Sequence, residues 1–116
     1  MLHLSVELTQ SELYAQKSNI SGIVISKETN KEIKKVKVFL LENDIAIDSA
    51  FTDKNGNYNF INLNYRNYNL KFMKKKYLTL VLTGVILNDT NNYFQKIYLN
   101  DDISIDETNC IFREKK

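Results

Sequence analysis

The 116-residue chain predicts an all-β fold, a single antiparallel β-sandwich of about seven core strands. Three observations carry that prediction. Apolar and polar residues alternate with period two around Ile20, Val36-x-Val38-x-Leu40, Tyr58-x-Phe60 and Tyr68-x-Leu70-x-Phe72, and no segment sustains a helical period. Short runs are separated by turn signals, of which Asp53-Lys54-Asn55-Gly56 is the clearest. The length suits one two-layer core and leaves no room for a second.

The elements follow in order. Residues 2–8 alternate, with Leu2, Leu4, Val6 and Leu8 on one side and His3, Ser5 and Glu7 on the other, and predict an extra N-terminal strand. Residues 9–17 connect, with Thr9 or Ser11 able to cap a helical turn that carries Leu13 and Tyr14. Residues 20–26 are a strand in which Gly22 allows close backbone approach. Charged residues 27–32 form a hairpin-type loop. Residues 36–42 are the next strand, with Val36, Val38 and Leu40 facing one way and Lys37 the other.

Residues 45–52 lead into the Asp53–Gly56 turn, where Asp caps its own turn and Gly supplies positive φ. Residues 58–61 and 68–73 are expected to pair across a link at 62–67. Residues 77–83, 85–87, 93–99 and 109–112 complete the predicted β content. This divides the chain into an N-terminal strand and arm (1–18), the sandwich (19–100) and a C-terminal strand or tail (101–116).

Composition narrows the class. With 43% hydrophobic and 26% charged residues the chain is globular, neither disordered nor membrane-like. A net charge of +2 is too small for a nucleic-acid footprint. No apolar run approaches a membrane span, and the start lacks the basic and apolar regions of a signal peptide. Cys110 is the sole cysteine, so no internal disulfide can form. The expectation is synthesis in the cytoplasm. Asn, Ile and Lys are abundant and Pro is absent, a bias that suits an AT-rich coding sequence.

Residues 19–99 resemble the carboxypeptidase regulatory-like (transthyretin-like) β-sandwich family. The resemblance rests on Gly22, Val36, Val38, Leu40, the Thr52-Asp53-x-x-Gly56-x-Tyr58-x-Phe60 turn, Leu63, Tyr68, Leu70, Phe72 and Tyr77. Three positions depart from the pattern: Glu32-Ile33 replaces the usual Pro, Asn67 one Gly, and Lys76 another. The resemblance implies an accessory module, structural or binding in role.

Catalysis is not expected. Zinc hydrolysis needs three converging ligands and an open position, but the only histidine is His3 and no paired His/Cys set exists. Cys110 has no general base to activate it. Three dispersed glycines make no phosphate loop. The transthyretin-like hydrolases implied by the resemblance need several His and Arg residues that this chain lacks. Asp53, Asn55 and Asn57 alternate in a turn and offer oxygens to Ca²⁺, yet the pattern lacks the carboxylates of a calcium loop, so no cofactor or metal is expected.

Surfaces are more informative. Lys34, Lys35 and Lys37 and the run Lys74-Lys75-Lys76 make two basic clusters that suit an acidic protein partner. Without stacking aromatics beside them they do not suit nucleic acid. Tyr14, Tyr65, Tyr93 and Tyr98 lie outside the family core pattern and are interface candidates, together with Leu2, Leu4 and Val6. The expected function is a non-catalytic subunit docking onto protein partners or copies of itself in a larger assembly, such as a virion or phage-tail-like particle, with terminal segments adding strands to neighbours. The alternative is a surface module that binds glycan or peptide at its loop tips.

Overall fold

The computed structural model describes residues 17–88 and 92–103, and these form seven strands and no helix. They are β1 (Lys17–Ser26), β2 (Lys37–Glu42), β3 (Ile45–Phe51), β4 (Asn57–Asn64), β5 (Asn67–Met73), β6 (Leu80–Ile86) and β7 (Tyr93–Leu99). A three-stranded sheet in the order β4-β1-β7 packs on a four-stranded sheet in the order β3-β2-β5-β6. The expected sandwich is what the chain forms. The predicted strand at 2–8, the helical turn near Tyr14 and the strand at 109–112 lie outside the described residues.

All pairings between strands are antiparallel except β1 with β7, which runs parallel. The expected pairing of residues 58–61 with 68–73 does not form. β4 pairs with β1 and β5 with β2 and β6, so the link between them crosses from one sheet to the other. Alternation reveals that both segments bury one face, and it is silent about which neighbour each one takes. The segments predicted at 77–83 and 85–87 merge largely into β6, whose ladder is bent rather than broken at Gly84 (φ 73°).

The core lies between the sheets. Ile20 and Val24 on β1, Val38 and Leu40 on β2, Tyr58 and Phe60 on β4, and Leu70 and Phe72 on β5 point into it, with Val85 and Leu99 at its side. The rings of Tyr58 and Phe72 meet edge to face with centroids 5.4 Å apart.

Turns explain the connections. Glu42 pairs with Ile45 across Asn43 (φ 54°) and Asp44 (φ 64°), the two left-handed residues of a tight hairpin whose twist suits the strands. This hairpin makes residues 45–51 a full strand rather than a lead-in. Asp53 closes the next turn. Its Oδ1 accepts the N–H groups of Asn55 and Asn57, each at 2.9 Å, and the Gly56 carbonyl accepts the Val24 N–H at 2.8 Å. Thr52, buried beside it, accepts the Val36 N–H at 2.9 Å and donates to the Ile33 carbonyl at 2.7 Å through the same hydroxyl.

Asn serves where few glycines are available. Asn30, Asn43 and Asn62 all adopt positive φ, which this side chain tolerates better than most. Asn19 ties its sheet together: its Oδ1 accepts the Asn62 N–H at 2.9 Å and its Nδ2 donates to Asn92 at 3.1 Å. Of the two family glycines replaced here, Asn67 sits in extended backbone, whereas Lys76 keeps the left-handed conformation (φ 78°) despite its side chain.

Candidate functional site

The outward face of the β3-β2-β5-β6 sheet is built by cross-strand rows. Register places Phe51, Lys37 and Met73 side by side in one row, and Ser49, Phe39, Lys71 and Val81 in the next. The solvent face of an antiparallel sheet is ordinarily polar. Here Phe51 is 60% exposed, Val81 48% and Met73 40%. The Lys37 ammonium sits 5.1 Å from the Phe39 ring centre and 5.5 Å from that of Phe51, so the cation lies over apolar ground rather than breaking it up. Next to this face a shallow hollow is lined by Phe39, Ala46, Ile47, Asp48 and Ser49.

The two basic clusters converge. β2 begins at Lys37 opposite the end of β5 at Met73, so Lys34 and Lys35 lie at the same end of the sheet as Lys74, Lys75 and Lys76. Lys34, Lys35, Lys75 and Lys76 are exposed and Lys74 is half-buried. Thus a lysine-rich rim borders the apolar face. It faces acidic company as well, because Asp101 bridges to Tyr77 and the Asp102 N–H donates to the Lys76 carbonyl at 3.0 Å.

The tyrosine candidates do not converge. Tyr98 is exposed on the outer face of the other sheet, opposite Ile25. Tyr93 packs half-buried against the core, and Tyr65 sits half-buried in the β4–β5 link at the opposite end from the lysines. Tyr14, Leu2, Leu4 and Val6 lie outside the described residues. Sequence reasoning missed Phe51, Met73, Val81 and Ile47. For Ile47, Phe51 and Val81 the signal was apolar residues on both alternating faces of residues 45–51 and 80–86, which reads as burial on two sides until one side proves open; Met73, at the end of β5, gave no such signal.

Asp53, Asn55 and Asn57 form a closed turn. Backbone N–H donation from Asn57 leads the causes that hold the Asp53 carboxyl below its ordinary pKa of 3.8, followed among the lowering contributions by Asn55. The carboxylate oxygen is therefore committed to backbone. Among the described residues, no group of three His, Cys, Asp or Glu side chains gathers to hold a metal ion. At the other end, the Arg66 guanidinium meets Glu42 at 3.0 Å, and the Tyr68 hydroxyl donates to the Asn64 carbonyl at 2.8 Å, bracing the crossing from β4 to β5.

Among the described residues, then, the chain is a seven-stranded β-sandwich whose larger sheet carries apolar side chains on its outer face beside a lysine-rich end. The carboxypeptidase regulatory-like domain model matches residues 19–100, and the chain belongs to that family. No curated protein matches it. Among solved structures, the major pilin subunit of Bacillus cereus matches at 16% identity and a TM-score of 0.57, covering 75% of this chain and 31% of the pilin.

A cohesin–X–dockerin complex of Acetivibrio cellulolyticus matches at 18% identity and a TM-score of 0.57, covering 71% and 56%. The 5-hydroxyisourate hydrolase of Klebsiella pneumoniae matches at 14% identity and a TM-score of 0.59, covering 72% and 90%. This chain therefore spans about half or less of the pilin and cohesin-complex chains. At these identities the likeness is one of fold.

Proposed function

We propose that this domain is a non-catalytic docking module of a larger protein assembly, engaging neighbouring subunits through the outer face of the β3-β2-β5-β6 sheet and the lysine rim beside it. The observation that carries the reading is the row structure of that face, where Phe51, Met73 and Val81 stand exposed around Lys37. Contiguous exposed apolar surface with a polar border is how protein-docking sites differ from ordinary surface. The rim suits an acidic partner surface and makes encounter sensitive to salt. The assembly class included in the proposal is a virion or phage-tail-like particle put together in the cytoplasm.

The test is size fractionation of the native source, with mass spectrometry of what co-migrates, on the wild type and on Phe51→Ser/Val81→Ser. Wild type in a particle of megadalton size, with the folded double variant left behind, is the expected result. Incorporation of the variant at the wild-type level would overturn the role of this face. Recovery of the wild type as a small free protein that binds glycan or peptide would replace docking with the ligand-binding alternative.

A further inference from the structure

We propose that the open edge of β7 is a receptor site for one added strand, and that residues 2–8 of a neighbouring copy fill it. This rests on the assembly reading above and specifies one contact within it.

Among the described residues, the two sheets differ by one strand. β3 and β4 are the edge strands joined through the Asp53 turn and touch only locally, which puts them at the same side of the sandwich, so β6 projects beyond β7 at the other. Register shows the consequence. Leu80 and Leu82 on β6 pair with Phe72 and Leu70, both fully buried, and so face inward; yet the two leucines are only partly covered. Gln95 on β7 is opposite the buried Gly22 and faces inward too, and it is exposed. Tyr93 beside it is half-buried. Inward-facing residues that remain wet mark a strip of core one strand wide beneath the β7 edge.

The four sheet edges are not equivalent. Each of the other three edge strands carries a register irregularity in its pairing, near Leu40/Leu41 for β3, Ser18/Ile20 for β4 and Tyr68/Leu70 for β6. Such bulges discourage further pairing. β7 alone holds an unbroken register, seven consecutive partners from Tyr93 to Leu99, and neither Pro nor Gly interrupts it. Among the described residues, no strand pairs with its outer N–H and C=O groups.

The shape of the site selects its occupant. Strands in a sheet lie about 4.8 Å apart and packed sheets about 10 Å apart. Were a second copy to bring its own β7 alongside, the projecting β6 strands of the two copies would compete for the same layer. A single extended segment meets no such obstacle. Residues 2–8 match β7 in length at seven residues, and they place Leu2, Leu4, Val6 and Leu8 on one face. That face is what Leu80, Leu82 and Tyr93 lack, while His3, Ser5 and Glu7 would remain toward water.

Hydrogen exchange on the full-length protein tests this, comparing wild type with Leu4→Lys/Val6→Lys, together with the mass of each in solution. Expected are concentration-dependent association of the wild type, exchange at Tyr93–Leu99 slowed about tenfold or more relative to the variant, and a folded, monomeric variant. Adding a synthetic peptide of residues 2–9 to the variant restores the protection, and the same peptide with both lysines does not. Association that persists in the variant overturns the strand site and leaves the docking reading standing. Equal protection of wild-type Tyr93–Leu99 at every concentration in a monomer overturns donation by a neighbour, because the segment then folds onto its own sheet. A wild type that neither associates nor protects β7 overturns both.

Discussion

The phenol of Tyr58 lies against Gly22, and a β-carbon at Gly22 would collide with the Tyr58 ring and the Gln95 carbonyl at once. β4, β1 and β7 meet at this point. The Tyr58 hydroxyl is buried without a hydrogen-bond partner among the described residues, and burial is the first cause that pushes its pKa upward. Gly22→Ala should therefore destabilise the fold by about 2–3 kcal/mol, since one of the colliding groups is backbone and cannot rotate away. A urea midpoint unchanged from wild type would show that β4 and β7 move away from β1 without cost.

Tyr58→Phe acts on the same contact in the opposite sense. It removes only the orphaned hydroxyl and keeps the edge-to-face contact with Phe72. Stability should stay level or rise by about 1 kcal/mol, because an unsatisfied buried group opposes folding. Thermal unfolding of the variant checks this, and a loss of more than that amount would reveal a partner for the hydroxyl.

Thr52→Val should cost about 2–3 kcal/mol. The hydroxyl both accepts the Val36 N–H and donates to the Ile33 carbonyl in a buried setting, so its loss strands two backbone groups in a shape-matched hole. Thr52→Ser, which keeps the oxygen, should recover most of the loss in the same denaturation series.

Asp53 makes stability depend on pH. Its folded pKa lies below the ordinary 3.8, so the folded state favours the carboxylate. That contribution is fully present above the unfolded value and is lost as pH falls through the folded one. Wild type should thus lose stability on acidification below about pH 4 more steeply than Asp53→Asn, which cannot ionise. Urea midpoints at neutral and acidic pH compare them; parallel curves would remove Asp53 from the acid response.

Lys76→Gly should stabilise by about 0.5–1 kcal/mol, since Lys76 holds φ 78° where a β-carbon is disfavoured. The gain is net of the greater freedom glycine has when unfolded. A lower melting temperature for the variant would mean that the lysine side chain contributes more than its backbone costs.

Much of this molecule was legible in its residues. Val36, Val38 and Leu40, predicted to share a face, are all buried, and Tyr93–Leu99 is a strand with the predicted ends. The Asp53 turn has the self-capping that its residue types imply. Those features are local, set by pleat, φ preference and short-range hydrogen bonding. The candidate site was less legible. The lysine runs were visible, but their meeting at one end depends on β2 lying antiparallel beside β5. Phe51, Met73 and Val81 became a face only when strands far apart in sequence were brought into rows.

By itself the sequence determined an all-β sandwich, the inward-facing residues and the turns, because alternation and turn chemistry act over a few residues. Tertiary structure alone decided which strands neighbour one another, that β1 and β7 run parallel, and that among the described residues one sheet holds a strand more than the other. Strand pairing joins distant segments through backbone groups that every residue carries, so the choice of partner is made by the packing of the whole core and not by any segment of the chain.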